Sequence, residues 1–207
     1  FLDASGEITV NTPRQEVVWA KEEVGNLGVL KLGSKDQPIL AKKGDDLRID
    51  WGYLYVAALR SVMGSSGIAL PPGETPVPSA PADSITAKLT LEVGQVGKTP
   101  VSRWLMLAYD DLYSIQYMRK NLRPYWRRNG WEAADLLKAT AKDYESLKKR
   151  CEKFDAELMA DLTRAGGAQY AKLCALAYRQ CFAAGKFVAD ANGQPMQFCK
   201  ENHSNGC

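Results

Sequence analysis

Lys200, Glu201, Asn202, His203, Ser204 and Asn205 follow one another in the stretch FCKENHSNGC, Phe198 to Cys207. An ammonium, a carboxylate, two amides, an imidazole and a hydroxyl in one short loop suit either of two tasks. They can tie a turn to itself, or they can hold a small polar ligand. His203 is the one histidine of the chain, which excludes a His-rich metal site and a hydrolytic constellation that needs two imidazoles. Asn202-His203-Ser204 also has the form of a glycosylation sequon, a weak match.

Three other places carry reactive side chains. Asp110-Asp111 could be paired carboxylates. Neighbours on a strand point to opposite faces, so a turn role is expected rather than a shared proton. Arg119, Lys120, Arg123, Arg127 and Arg128 interleave with Tyr125 and Trp126 in RKNLRPYWRR. Such a run could stack on a nucleic-acid strand and neutralise it. The net charge of the chain is only +3, so a connector with one or two ion pairs is expected and no nucleic-acid partner. Arg179 sits in a helical pattern of small residues, where a buried guanidinium would need a carboxylate, from the protein or from a substrate.

Five cysteines, at 151, 174, 181, 199 and 207, lie in the last third, with no CxxC among them. That spacing fits neither a zinc site nor a dense disulfide framework. Cys174 and Cys181 are seven apart on one helical face, so buried structural thiols are expected. No metal and no cofactor follows from these residues.

Two kinds of element must position this chemistry. Residues 1–100 hold eight of the ten prolines, with ten basic against twelve acidic residues; the remainder holds seventeen against twelve. The first part reads as antiparallel strands, in GEITV, EVVWAKEE, NLGVLKL and LRIDWGYLYVAAL. SITAKLTLEV alternates, with Ile85, Ala87, Leu89, Leu91 and Val93 on one face, as a half-buried strand does. MGSSGIALPPGETPVPSAPADS, between the last two, reads as a proline-rich surface loop. RWLMLAYDDLYSIQYM reads as one or two strands broken at Asp110-Asp111, its aromatics serving as sandwich core. From Trp131 the period changes. Ala134, Leu137, Ala141, Tyr144, Leu147, Cys151, Phe154, Leu158 and Leu162 hold one helical face. Gly166-Gly167 ends that helix. A second stripe runs Tyr170, Leu173, Ala177, Cys181, Ala184, Val188, so two antiparallel helices are expected. The DANG turn at Asp190 should join short extended arms, KFVA and QPMQF.

The expected organisation is therefore α+β: an antiparallel β-sandwich-like segment over 1–118, then a linker and helical hairpin over 119–207. One hairpin leaves apolar helix surface to cover. Either it packs on the β part or further helices complete it, and the halt at Cys207 favours the latter. No apolar run is long enough to span a bilayer. Phe1 opens onto FLDASGEITV, which reads as the start of a strand and not as a signal peptide.

WGYLYVAA, YDDLYSIQY, LRPYWRRNGW, GGAQYAKLCALAYRQ and PMQFCKENHSNGC together resemble the glutaminase A family of fungi and bacteria, in order along most of the chain. His203 and Cys207 depart from the pattern that this family shows. The resemblance implies a longer, secreted or periplasmic protein, in which a β-rich part precedes an (α/α) toroid of six-hairpin type. It implies hydrolysis of glutamine to glutamate and ammonia, without a cofactor. Amide hydrolysis needs an activated water or nucleophile, a proton for the departing ammonia and stabilisation of the oxyanion. Glu201 is the candidate catalytic carboxylate, and Arg179, Lys200, Asn202 and Asn205 are candidates for holding the substrate. A fold does not fix a substrate. A glycoside hydrolase of the same toroid type, acting on a sugar, and a non-enzymatic β-rich binding module therefore stand as alternatives. The chain by itself is expected to be inactive on glutamine, and self-association or pairing with further helices is expected of its uncovered face.

Overall fold

The structure, a computed structural model, describes residues 2–7 (backbone only), 15–42, 49–69 and 78–199. The architecture is mixed α+β. The strands are β1 (Leu2–Glu7), β2 (Glu16–Val24), β3 (Leu27–Ser34), β4 (Tyr53–Leu59), β5 (Met63–Ala69), β6 (Ser79–Pro81), β7 (Thr86–Leu91), β8 (Met106–Asp110), β9 (Ile115–Tyr117) and β10 (Lys120–Leu122). Helix α1 (Ala133–Ala183) follows, then β11 (Gly185–Ala189) and β12 (Pro195–Cys199). One sheet has the order β6-β2-β3-β4-β8 and a second the order β1-β7-β5; β9 pairs β10, and β11 pairs β12, all antiparallel.

The core explains why LGVLKL does not alternate. Leu30 and Leu32 of β3 and Val56 and Ala58 of β4 pack on Leu89 and Leu91 of β7. Leu27 and Val29, on the other face, join Tyr55, Ala57 and Met106 against Ala133 and Leu137 of the helix. Strands covered on both faces read as continuous apolar runs. β7 alternates as expected, with Leu89 and Leu91 buried and Lys88 exposed.

Two strand expectations are corrected. Met63–Ala69 is a strand and not part of the proline-rich loop. The prolines of that stretch begin only at Pro71, so nothing forbids the earlier residues from pairing with β7. The aromatics around β8 are not sandwich core, because β8 is an edge strand. Leu107 is 67% exposed and Tyr109 is 46% exposed. Trp104 instead stacks on Tyr144 of the helix, ring centroids 5.1 Å apart.

The helix begins on a capping box: Glu132 caps the N-terminus, and the Asp135 carboxylate accepts the Glu132 backbone N–H at 3.1 Å. Reciprocal caps of this kind satisfy donors that the first turn leaves free. The helical run is interrupted once, at Gly167, with φ 82° and ψ 177°. That region of backbone space is essentially confined to glycine. The chain folds back there as expected. The Phe154 and Tyr178 rings lie 5.9 Å apart, whereas a straight helix would separate the two residues by about 36 Å. The base of the first arm packs on the five-stranded sheet through Ala133, Ala134, Leu137 and Ala141. Farther out the hairpin is uncovered: Leu147, Phe154, Tyr170, Leu173, Leu176 and Phe182 are exposed. The expected burial of the thiols fails for the same reason. Cys151 and Cys181 are exposed and Cys174 is half-buried, because no described element lies against that part of the hairpin. β11 and β12 are the expected arms around the DANG turn. The Asp190 carboxylate closes that turn by accepting the N–H groups of Asn192 and Gln194, both at 2.8 Å.

Candidate functional site

Charge is concentrated where β8 ends. Asp110, Asp111, Ser114 and Arg127 are all buried. Leu112 turns the chain with φ 58°, and the Tyr113 N–H reaches back to the Asp111 carbonyl at 2.5 Å. A γ-turn of this hand is strained at any residue but glycine. Its surroundings hold it in place. The Trp51 indole N–H donates to the carbonyls of Asp111, at 2.6 Å, and Tyr113, at 3.2 Å. The Leu112 N–H donates to Asp110 Oδ1 at 3.0 Å. Gly52, with φ 90°, lies so close that a Cβ there would overlap the Asp110 carbonyl oxygen.

The two aspartates face different partners, as strand geometry requires. Arg127 engages Asp110 with Nε on Oδ1, at 3.1 Å, and Nη2 on Oδ2. Its Nη1 meets Glu132 at 2.8 Å. Burial works against the Arg127 charge, but hydrogen bonds and attraction from Asp110 and Glu132 outweigh it, so its pKa is raised. Asp111 takes the Ser114 hydroxyl on Oδ1 and the Lys186 ammonium on Oδ2, both at 2.9 Å. All four carboxylate oxygens thus accept a donor. A carboxylate saturated by fixed donors is poorly placed to exchange a proton with a substrate. The pair is an electrostatic clamp between β8, the connector and β11. The turn role expected of Asp110-Asp111 holds, and Arg127 gives the connector the kind of ion pair expected of it; the sequence named neither Asp110 as its partner nor Lys186 as that of Asp111.

A second polar knot adjoins the first. Lys42 pairs with buried Asp50. Gln15 Nε2 donates to Ser34 Oγ at 2.6 Å and to the Asp50 carbonyl at 3.0 Å. The Tyr109 hydroxyl donates to the Trp51 carbonyl. Burial first, then the Asp111, Asp50 and Asp110 carboxylates, hold the Tyr109 hydroxyl well above the usual phenol range. Burial and Asp110 do the same to Tyr55. The arginines of the connector lie over its own neighbourhood of rings: Arg128 over Tyr125 at 4.0 Å, Arg127 over Trp126 at 4.7 Å and Arg123 over Tyr113 at 5.2 Å. The connector reading of RKNLRPYWRR fits this arrangement.

The residues singled out for amide chemistry fall elsewhere. Arg179 is exposed on the second helical arm, without an ion pair among the described residues, so its expected burial is corrected. Lys200, Glu201, Asn202, His203 and Asn205 lie outside the described residues. Their point of departure is placed: β12 ends at Cys199, opposite Gly185 and next to the Lys186–Phe198 pair. Among the described residues no group of three or more His, Cys, Asp or Glu side chains is placed to hold a metal ion. No described helix is long and apolar enough to cross a membrane.

Two family models match the chain. One, described as Domain of unknown function (DUF5127), covers residues 1–161. The other, described as Glutaminase A six helical-hairpin domain, covers residues 167–207. The five residues between the two spans, 162–166, lead into the turn where Gly167 reverses the helix. No curated protein and no solved structure matches. The first model takes in every strand from β1 to β10, the clamp aspartates with Arg127, and most of the first helical arm, and the chain belongs to the DUF5127 family.

Proposed function

We propose that the chain is the β-rich part and first helical hairpin of a glutaminase A-like amidohydrolase, which converts L-glutamine to L-glutamate and ammonia. The observation that carries this reading is the match of residues 167–207 to the glutaminase A six helical-hairpin domain. That span holds the second helical arm, the β11–β12 ribbon and the polar segment with Glu201. The uncovered apolar side of the hairpin supports the reading, since a domain of six hairpins would supply the missing cover. In this account residues 1–118 form a sandwich-like unit and 119–207 open the toroid. The parent protein acts outside the cytoplasm.

Glu201 supplies a carboxylate to the reaction, activating water or protonating the departing ammonia. Lys200, Asn202, Asn205 and Arg179 hold the charged ends of glutamine. Ammonia release from L-glutamine by the full-length protein tests this, with residues 1–207 alone alongside. Activity is expected for the first and not for the second. Glu201→Gln is expected to reduce it by about a hundredfold or more, the usual scale for a general acid or base. Full activity in that variant would remove Glu201 from the mechanism. Turnover of a glycoside with none of glutamine would overturn the substrate.

A further inference from the structure

β11 and β12 pair with each other and belong to neither larger sheet. A two-stranded ribbon is at best marginally stable alone, so its position depends on what it docks against. Three of the contacts are apolar or backbone. Val188 bridges Pro124, Phe187 lies 4.5 Å from the Tyr125 ring, and Phe198 of β12 lies 5.2 Å from the Tyr117 ring. Apolar contacts hold a ribbon down but tolerate sliding. Two contacts are directional: at the bridge the Ala189 N–H donates to the Arg123 carbonyl at 3.3 Å, a long bond, and a shorter charged contact ties the ribbon to the end of β8. Lys186 Nζ sits 2.9 Å from Asp111 Oδ2, with the Asp111 side chain 5% exposed and that of Lys186 25% exposed. Its anchor cannot shift easily: the Ser114 hydroxyl holds the other Asp111 oxygen and the Trp51 indole holds the Asp111 carbonyl. Across the ribbon Lys186 pairs with Phe198, one residue before β12 ends at Cys199.

We propose that Lys186 is a positioning residue: by clamping the ribbon to Asp111 it fixes where β12 ends, and so where the segment from Lys200 to Asn205 starts relative to the β half. The role given to that segment rests on the glutaminase A-like reading; the clamp does not. Lys186 touches no substrate and moves no proton in this scheme. It fixes the end of β12 at Cys199, two residues before Glu201 in the chain, and a shift of about an ångström at a reacting group can cost about a hundredfold in rate.

The test compares four forms of the full-length protein: wild type, Lys186→Met, Lys186→Arg, and Lys186→Met combined with Asp111→Asn. The last keeps the test usable if a lone buried carboxylate unfolds the single variant. Amide hydrogen exchange over 195–199 and glutamine turnover are read together. In Lys186→Met, exchange in β12 should quicken about tenfold or more while β2 and β3 keep their protection, and kcat/KM should fall about tenfold to a hundredfold. The double variant should show the same two changes with β2 and β3 as protected as in wild type. Lys186→Arg should recover most of both, because a guanidinium also pairs with a carboxylate. Unchanged β12 exchange in the methionine variants overturns the clamp. Faster exchange with wild-type turnover overturns the positioning role. Lost turnover with unchanged exchange means that Lys186 acts on the reaction directly, and also overturns it. A wild-type protein that releases no ammonia counts against the glutamine reading alone, and the exchange result then decides the clamp.

Discussion

Arg127 and Asp110 show what a buried pair does for a fold. Both side chains are almost fully covered, 4% and 3% exposed, and each satisfies the other. Removing one partner leaves the other charge in a poor solvent. Arg127→Met should therefore destabilise the protein by about 3–5 kcal/mol, measured as a lower urea midpoint. Arg127→Met combined with Asp110→Asn should lose less, because no unpaired charge remains. Tyr55 and Tyr109 give a second prediction at this scale. Their neutral forms are favoured by burial and by nearby carboxylates, so their folded pKa values stand above the ordinary phenol value. The unfolded chain then loses these protons first. Their contribution is complete below about pH 10 and is lost as pH rises beyond it. Stability should fall between about pH 10 and 12, and Tyr109→Phe should flatten that fall. An alkaline slope that is the same in both proteins would rule Tyr109 out as a source. The sequence made part of this legible. Adjacent aspartates after an apolar strand announced a turn. Their partners lie 17 residues away for Arg127 and 75 for Lys186, and no local pattern names a partner at such distances.

At the scale of elements, period was the reliable guide, because burial writes it directly. The change from period 2 to period 3.6 after RKNLRPYWRR located the helices, and Gly166-Gly167 located their reversal. β5 was hidden because its sequence, MGSSGIA, has little β-branched or aromatic content. It is a strand because β7 offers it a partner, which propensity cannot reveal. Gly167 permits a direct test. At φ 82° and ψ 177° a Cβ is strained by about 1–3 kcal/mol, whereas alanine favours a helix in place. Gly167→Ala should therefore shift the hairpin toward one continuous helix. The distance between spin labels at the exposed positions Lys153 and Arg179 should lengthen toward about 39 Å. A short distance retained in the variant would mean that the arms are held by their own contacts rather than by the turn. Nearer the sheet, Leu137 is fully buried between the helix and β3, β4 and β8. Leu137→Ala should cost about 2–5 kcal/mol, read from the same urea curves.

The molecule as a whole is layered: a three-stranded sheet, a five-stranded sheet, and the base of one helical arm. Its covered part and its uncovered part differ sharply. Leu173, Phe182 and Leu176 are 67%, 57% and 51% exposed, on a hairpin that, among the described residues, packs on the sheet at its base. Apolar surface of this kind promotes association. Residues 1–207 should sediment as a concentration-dependent mixture, and Leu173→Glu with Leu176→Glu should move it toward monomer with little change in urea midpoint. A strict monomer at high concentration would refute this. The sequence suggested the uncovered surface through its surplus of apolar and small residues on the helices, but not which residues would bear it. The order of the strands also has a consequence in time. β2 pairs β3, and β3 pairs β4, soon after each is made, whereas β1 has one partner, with Leu2 opposite Leu91 of β7. A ribosome adding about 5–20 residues each second delivers β7 several seconds after β1. Through that interval the first strand is an open edge, able to pair with whatever strand comes by. β1 is thus made well before the strand that fixes it, and a nascent chain stalled before residue 91 would carry β1 as a sticky end.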